Sequence, residues 1–131
     1  MSSRSSVTWV ERRIDLSNLD LDRAAAMVVA RRASWLALGL AVDGLTWMDN
    51  NVQWPAPLVK DRSQVRRPRS LGLRVYGQAG EAEFVLYAGG WVDVDAVHGM
   101  EEPVSEYVEL DEVEAFGSVL DRVIASLVAV D

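Results

Sequence analysis

Residues 71–97 read LGLRVYGQAGEAEFVLYAGGWVDVDAV, and apolar residues alternate with other residues through three successive runs of this segment. Alternate residues of a β-strand point to opposite sides of a sheet, so the spacing predicts three strands that share one apolar face. That face would consist of Leu71, Leu73, Val75, Ala82, Phe84, Leu86, Val92, Val94 and Ala96. Glycines separate the runs, as is typical of tight turns. The segment therefore predicts a three-stranded antiparallel meander.

The second turn determines the register of this meander. A two-residue loop at 89–90 would set Leu86 opposite Asp93 and divide the apolar residues between the two faces. A three-residue loop at 88–90, with one glycine in the left-handed region, instead sets Leu86 opposite Val92. We predict the three-residue loop, because it keeps the apolar face continuous.

The predicted register has an electrostatic cost on the polar face. It sets Glu83 opposite Asp95, and like charges directly across a strand pair are destabilising. The first turn, at 77–80, sets Arg74 opposite Glu83 on the other side. We expect Arg74 to offset part of the repulsion.

The polar face of the meander combines aromatic rings with carboxylates. Aromatic side chains that keep a polar edge are over-represented where proteins meet, which favours a docking surface. The alternative is a solvated face, or a face covered by the N-terminal segment of the chain. Trp54 starts a stiff WPAP segment that either covers the sheet or contacts a partner. The candidate partner-binding residues are Trp54, Arg74, Tyr76, Glu83, Tyr87, Trp91, Asp93 and Asp95.

The chain has 131 residues, which is the length of one domain and enough to bury about two-thirds of the surface of the unfolded chain. It contains no cysteine, which excludes thiol catalysis, zinc–thiolate sites and disulfides. The N-terminus, MSSRSSVTWVERR, lacks the apolar core of a signal peptide, and no apolar run approaches about 18 residues. We expect a single domain over residues 1–131, located in the cytoplasm and without a membrane partner.

The net charge of −7 is unevenly distributed along the chain. Residues 1–74 contain 12 basic and 7 acidic residues, whereas residues 75–131 contain 1 basic and 13 acidic residues, so the two parts carry +5 and −12. This asymmetry favours oriented association with a charged partner, unless the two parts interleave in the folded protein and neutralise each other. The overall sign disfavours nucleic acid as the main ligand.

The part of the chain before the meander predicts a strand, a helix and a long loop. Residues 7–16 alternate as a strand does. Ser17 or Asp20 is placed to cap a helix over about 21–38, whose residues at core-facing spacing are Leu21, Ala25, Val28, Val29, Arg32 and Leu36. A short strand near 45–48 follows, with Trp47 expected in the core. Residues of about 49–70 show neither strand nor helix spacing, which predicts a long loop. Loops of this length are usually functional or disordered.

The basic residues of this loop are Lys60, Arg62, Arg66, Arg67 and Arg69. They form either a solvated loop or a site for carboxylates or phosphate.

The part of the chain after the meander predicts a strand at 105–110 and a terminal helix. Asp111 and Glu114 fit a capping box, in which each side chain accepts a bond from a backbone N–H beside the other. Residues at spacings of three and four predict a core-facing stripe: Val113, Phe116, Leu120, Val123 or Ile124, and Leu127. The fold class expected is α+β, an antiparallel meander of about four to six strands packed against two helices on one face.

The sequence carries no catalytic motif. His98 is the only histidine, and no serine lies in the context of a nucleophile elbow. The glycines lie between strands, so they do not form a phosphate loop. Asp93 and Asp95 point the same way about 6 to 7 Å apart, which is a weak signal for a hard cation without further ligands. We predict a protein that is not an enzyme and that uses no metal and no cofactor.

The order of elements resembles the small immunity proteins encoded beside bacterial polymorphic toxins, particularly the TriTu kind. The resemblance rests on a helix, WLALGLAV at 35–42, GGWVDVDAV at 89–97 and EYVELDEVEAFGSVLDRVIASL at 106–127. It covers about residues 22–128, and the basic loop at 60–69 has no counterpart in it. The resemblance implies a cytoplasmic inhibitor that binds a cognate toxin domain and blocks its active site.

Two other classes of function remain open. The chain also resembles the small acidic chaperones of bacterial secretion systems, which are α+β homodimers that hold an effector segment unfolded. A monomer in a one-to-one complex with a folded toxin domain would indicate an immunity protein, and a dimer bound to an extended peptide would indicate a chaperone. A small-molecule sensor that uses the aromatic sheet face would require a concave pocket. The sequence does not choose an oligomeric state.

Overall fold

The computed structural model describes residues 19–53 and 56–128. In chain order these form α1 (Leu21–Ala37), β1 (Ala41–Val42), β2 (Thr46–Asp49), a 3₁₀ turn (Arg62–Gln64), β3 (Pro68–Gly77), β4 (Gly80–Tyr87), β5 (Trp91–His98), β6 (Val104–Glu109) and α2 (Glu114–Leu127). The predicted strand at 7–16 and the candidate Trp54 lie outside the described residues. The α+β class is confirmed.

The six strands form one antiparallel sheet in the order β1, β3, β4, β5, β6, with β2 also paired to β3. The predicted register is confirmed in both turns of the meander. Leu86 lies opposite Val92, and the second turn is the three-residue loop at 88–90. Gly90 in that loop has a φ of 118°, a backbone conformation that residues other than glycine rarely adopt.

The core lies between one face of the sheet and the two helices. All nine residues of the predicted apolar face are buried, each with 7% or less of its surface exposed. The rings of Phe84 and Phe116 meet edge to face with their centroids 6.5 Å apart, which joins α2 to the centre of the sheet. The predicted stripe of α2 is buried at Phe116, Leu120, Val123, Ile124 and Leu127, and Val113 is partly buried.

The predicted core face of α1 was partly wrong. The buried residues of this helix are Leu21, Ala24, Val28 and Trp35. Val29 and Leu36 are instead 63% and 50% exposed. The helix carries apolar residues around most of its circumference, so the pattern alone does not select the side that packs. Near the packed side, the guanidinium of Arg31 binds Asp121 of α2 at 2.8 Å beside Gly117, where the two helices approach closely.

The two helices begin differently. Asp20 caps α1 as predicted, because its carboxylate accepts bonds from the backbone N–H groups of Asp22 and Arg23. The capping box predicted for α2 was wrong, since that helix begins at Glu114 and has no side-chain cap. The N–H of Phe116 bonds the carbonyl of Val113 at 3.0 Å, so a tight backbone turn satisfies the first donors instead.

The loop after β2 is held to the sheet by its own polar contacts. The buried carboxylate of Asp49 accepts bonds from the backbone N–H groups of Asn51, Arg66 and Arg67. These bonds, first that from Asn51 and then that from Arg66, hold the pKa of Asp49 below its ordinary value. Val59 pairs with the buried Trp47 through backbone bonds of 2.8 and 2.9 Å.

The regular pairing of β3 begins at Pro68, so the irregular segment is shorter than the predicted 49–70. Within residues 19–53 and 56–128, no helix is long and apolar enough to cross a membrane.

Candidate functional site

The side of the sheet that points away from α1 and α2 is called the open face here. Strand alternation and pairing place on it seven of the predicted partner-binding residues: Arg74, Tyr76, Glu83, Tyr87, Trp91, Asp93 and Asp95. The eighth, Trp54, lies outside the described residues. The structure therefore brings together every candidate that it describes, and it does so on a surface separate from the core.

One end of the open face is aromatic. The rings of Tyr87 and Trp91 are stacked, with centroids 4.8 Å apart and planes inclined by 17°. Strand β6 adds Tyr107, which lies opposite Asp93 and is 54% exposed. Its hydroxyl donates to the carboxylate of Glu109 at 3.2 Å. The sequence analysis missed Tyr107 and Glu109 as site residues, although the alternation of 105–110 and the predicted strand there carried the signal.

The centre of the open face is acidic. Glu83 lies opposite Asp95, as the register predicted. The hydroxyl of Ser105 donates to the carboxylate of Asp95 at 2.5 Å and fixes its position. Partial burial, and then the charge of Asp95, raises the pKa of Asp93 above its ordinary value. In the described parts of the chain, no ion pair reaches Glu83, Asp93 or Asp95.

Arg74 does not offset the repulsion in the way we predicted. Its guanidinium binds Glu81 at 3.3 Å and Asp43 at 3.2 Å, and it lies over the ring of Tyr76 at 4.3 Å from the ring centroid. Asp43 follows β1, whereas Glu81 lies on β4, two residues before Glu83. The guanidinium of Arg74 therefore bonds a diagonal neighbour on β4 and not Glu83, which lies directly opposite it. The acidic centre consequently keeps its negative charge.

A groove of about 390 Å³ lies beside the acidic centre. Its floor includes Gly72, where an added Cβ would overlap the hydroxyl of Thr46, and the neighbouring Val85. The charged residues that line it are Asp43, Lys60, Arg74 and Glu83. The concave feature that the sequence could not show is therefore a groove on the same face as the aromatic and acidic residues.

Most of the basic loop lies away from the open face. Arg62 binds Asp22 at 2.7 Å and lies over the ring of Trp47, so it joins the loop to the start of α1. Arg66 and Arg67 line a second groove, of about 340 Å³, beside the start of α1. Lys60 alone of these basic residues reaches the groove on the open face.

The arrangement offers little to a metal ion. Among the described residues, no group of three histidine, cysteine or acidic side chains is close enough to hold one. His98 lies at the end of β5, and its Nε2 is 2.9 Å from the hydroxyl of Ser126. That contact ties β5 to α2, which gives the histidine a structural role.

Comparison with known proteins found no matching family model, no matching curated protein and no matching solved structure.

Proposed function

We propose that this chain is a non-enzymatic protein-binding module, an immunity protein that binds a cognate toxin domain through its open face and blocks it. The observation that carries the proposal is that Arg74, Tyr76, Glu83, Tyr87, Trp91, Asp93 and Asp95 share one face. Tyrosine and tryptophan are enriched in protein interfaces and among the residues that contribute most to binding.

The composition of the open face supports binding rather than solvation alone. A sheet face that only meets water has no need of a stacked Tyr87–Trp91 pair. It also gains nothing from Glu83 opposite Asp95, because like charges across a ladder destabilise the free protein. Both features are consistent with a surface that a partner protein contacts.

A double substitution at the centre of this face tests the proposal. Trp91→Ala with Asp93→Ala is expected to weaken binding of the toxin domain by tenfold or more, which is about 1.4 kcal/mol. The binding partner would be the toxin domain encoded beside this chain, and its affinity would be measured by titration calorimetry. Circular dichroism should show that the variant keeps its secondary structure.

A second double variant controls for the loss of one apolar and one acidic side chain. Leu38→Ala with Glu102→Ala makes a similar change at two exposed positions, after α1 and in the β5–β6 turn. It should bind as the unaltered chain does. Unchanged affinity of a folded Trp91→Ala, Asp93→Ala variant would remove the open face from consideration.

A secretion chaperone is the second candidate, and the surface of α1 favours it. Val29 and Leu36 lie two turns apart and are 63% and 50% exposed, as expected of a helix that packs against a second copy. Light scattering would separate the two functions. A stable dimer that binds an extended effector peptide would support the chaperone, and a monomer in a one-to-one complex would support the immunity protein.

A further inference from the structure

We propose that the groove over Gly72 receives one basic side chain of the protein partner. The aliphatic stem would lie over Gly72 and Val85, and the cationic end would lie beside Glu83. This inference rests on the proposed function and adds the chemistry of the partner, namely a lysine or arginine at the centre of its interface.

The shape of the groove suits one long, narrow side chain. Gly72 leaves bare backbone between Thr46 and Val85, because any Cβ at this position would overlap the threonine hydroxyl. Leu58, 60% exposed, lies on the opposite wall, in the segment that Val59 ties to β2. Lysine and arginine bury their methylene groups along apolar surface of this kind while the charge stays at the end.

The charges around the groove select a cation. Asp43 and Arg74 neutralise each other, with 3.2 Å between their charged atoms, so Lys60 and Glu83 determine the local field. Across the strands from the groove, Asp93 lies opposite Val85 and Asp95 lies opposite Glu83. Three carboxylates therefore stand at one side of the groove, where a positive charge is attracted.

The other charged side chains also disfavour an anionic occupant. A carboxylate or phosphate could bind only Lys60 there, because Arg74 is already held by both Glu81 and Asp43. Lys60 stands on the far wall with Leu58, where it repels the charged end of a basic side chain toward Glu83. The groove thus favours one orientation of the bound side chain as well as a positive charge at its end.

The repulsion between Glu83 and Asp95 in the free protein also favours binding of a cation. Glu83 and Asp95 repel each other across the ladder, and a bound guanidinium or ammonium beside Glu83 would relieve that repulsion. Because a bound cation relieves this repulsion, the relief increases the affinity of the groove for a cation. A neutral ligand leaves the repulsion in place and gains no affinity from it. The groove should consequently distinguish an arginine from an uncharged isostere.

A small probe tests the groove without the partner. N-acetyl-arginine-N-methylamide, titrated into the ¹⁵N-labelled full chain, is expected to shift the amide signals of Gly72 and Val85 in a saturable way. The citrulline analogue, which has the same shape and no charge, should shift them far less. Glu83→Gln should weaken arginine binding about threefold to tenfold, and Glu102→Gln, the same change in the β5–β6 turn, should leave it unaltered.

The outcomes separate this proposal from the proposed function. No saturable shift at Gly72, equal shifts with citrulline, or full affinity in the Glu83→Gln variant would each overturn the cation groove. If the toxin domain binds the open face and Glu83→Gln leaves that affinity unchanged, the groove proposal fails while the proposed function stands. If the arginine probe binds and no protein partner does, the groove stands as a cation site and the proposed function fails.

Discussion

The two faces of the central sheet are built under different physical demands. On the face toward the helices, every predicted residue is apolar and buried, and it packs in a continuous layer under α1 and α2. On the open face, an aromatic stack, three carboxylates without an ion pair among the described residues, and a groove lie side by side. Packing accounts for the first face entirely. The second contains a like-charge pair that folding does not explain, and it is therefore the better guide to function.

The largest expected effect comes from breaking the packed face. Phe116→Ala removes a ring that is 1% exposed and lies edge to face against Phe84. The lost burial and the cavity should lower the free energy of unfolding by about 3 to 5 kcal/mol. Denaturant melts of the variant and the unaltered chain measure the difference.

The exposed side of α1 provides the control for that prediction. Val29→Ala truncates an apolar side chain that is 63% exposed, so it should change the free energy of unfolding by about 0.5 kcal/mol or less. A loss for Phe116→Ala no larger than this would mean that α2 does not pack on the sheet as described.

The sequence predicted the packed face well, because its alternation left one consistent register. Pairing Leu86 with Asp93 would have divided the apolar residues, and the structure adopts the alternative. The same reasoning failed for α1, where apolar residues lie on several sides. There the buried side depends on contacts distant in sequence, among them the bond from Arg31 to Asp121. Sequence periodicity cannot show such a contact.

The open face was predicted only in part for the same reason. Alternation placed Asp93 and Trp91 together, since both lie on one strand of a known register. One ion-pair partner of Arg74 was beyond its reach, because Asp43 precedes it by 31 residues along the chain. The other, Glu81, lies in the same hairpin, where alternation does not choose between it and Glu83. The groove was equally hidden, since it depends on how the segment that contains Leu58 returns to β2. The register of a hairpin follows from sequence pattern, whereas the choice of a side-chain partner and contacts between distant segments do not.

A smaller effect is expected at the acidic centre, and it should depend on pH. Partial burial and the charge of Asp95 raise the pKa of Asp93 in the folded protein. A carboxyl with a raised pKa binds its proton more tightly when folded, so its ionised form opposes folding at neutral pH. That penalty disappears as the pH falls from above the raised pKa toward the ordinary value. Asp93→Asn should therefore be more stable than the unaltered chain at neutral pH.

Comparing the free energy of unfolding of the Asp93→Asn variant with that of the unaltered chain across pH isolates the contribution of the Asp93 carboxyl. The pKa values of Asp22, Asp49, Asp61 and Asp121 are lowered by their hydrogen bonds, so both proteins lose stability as the pH falls through those values. That loss cancels in the difference between the two. Urea melts should show the advantage of the Asp93→Asn variant shrinking on acidification. An advantage that stays constant or grows would contradict the burial of an ionised Asp93.

The smallest expected change in the free energy of unfolding, that of Glu83→Gln, best distinguishes the open face from the packed face. Glu83→Gln removes one member of the repelling pair with Asp95, so it should raise the free energy of unfolding by about 0.2 to 0.5 kcal/mol at low salt. The gain should diminish as added salt screens the repulsion. Glu81→Gln is the matched control two residues along the same strand. Because Glu81 binds Arg74, its substitution should give no gain.

A Glu83→Gln variant that is more stable and binds its partner less well would show that this carboxylate is retained for binding, at the expense of stability. On the packed face no substitution should behave in this way, since truncation there removes burial and leaves nothing that a partner would restore. If Glu83→Gln instead destabilises the protein, then Glu83 contributes to the fold. The acidic centre would then have to be counted with the structural residues of the sheet.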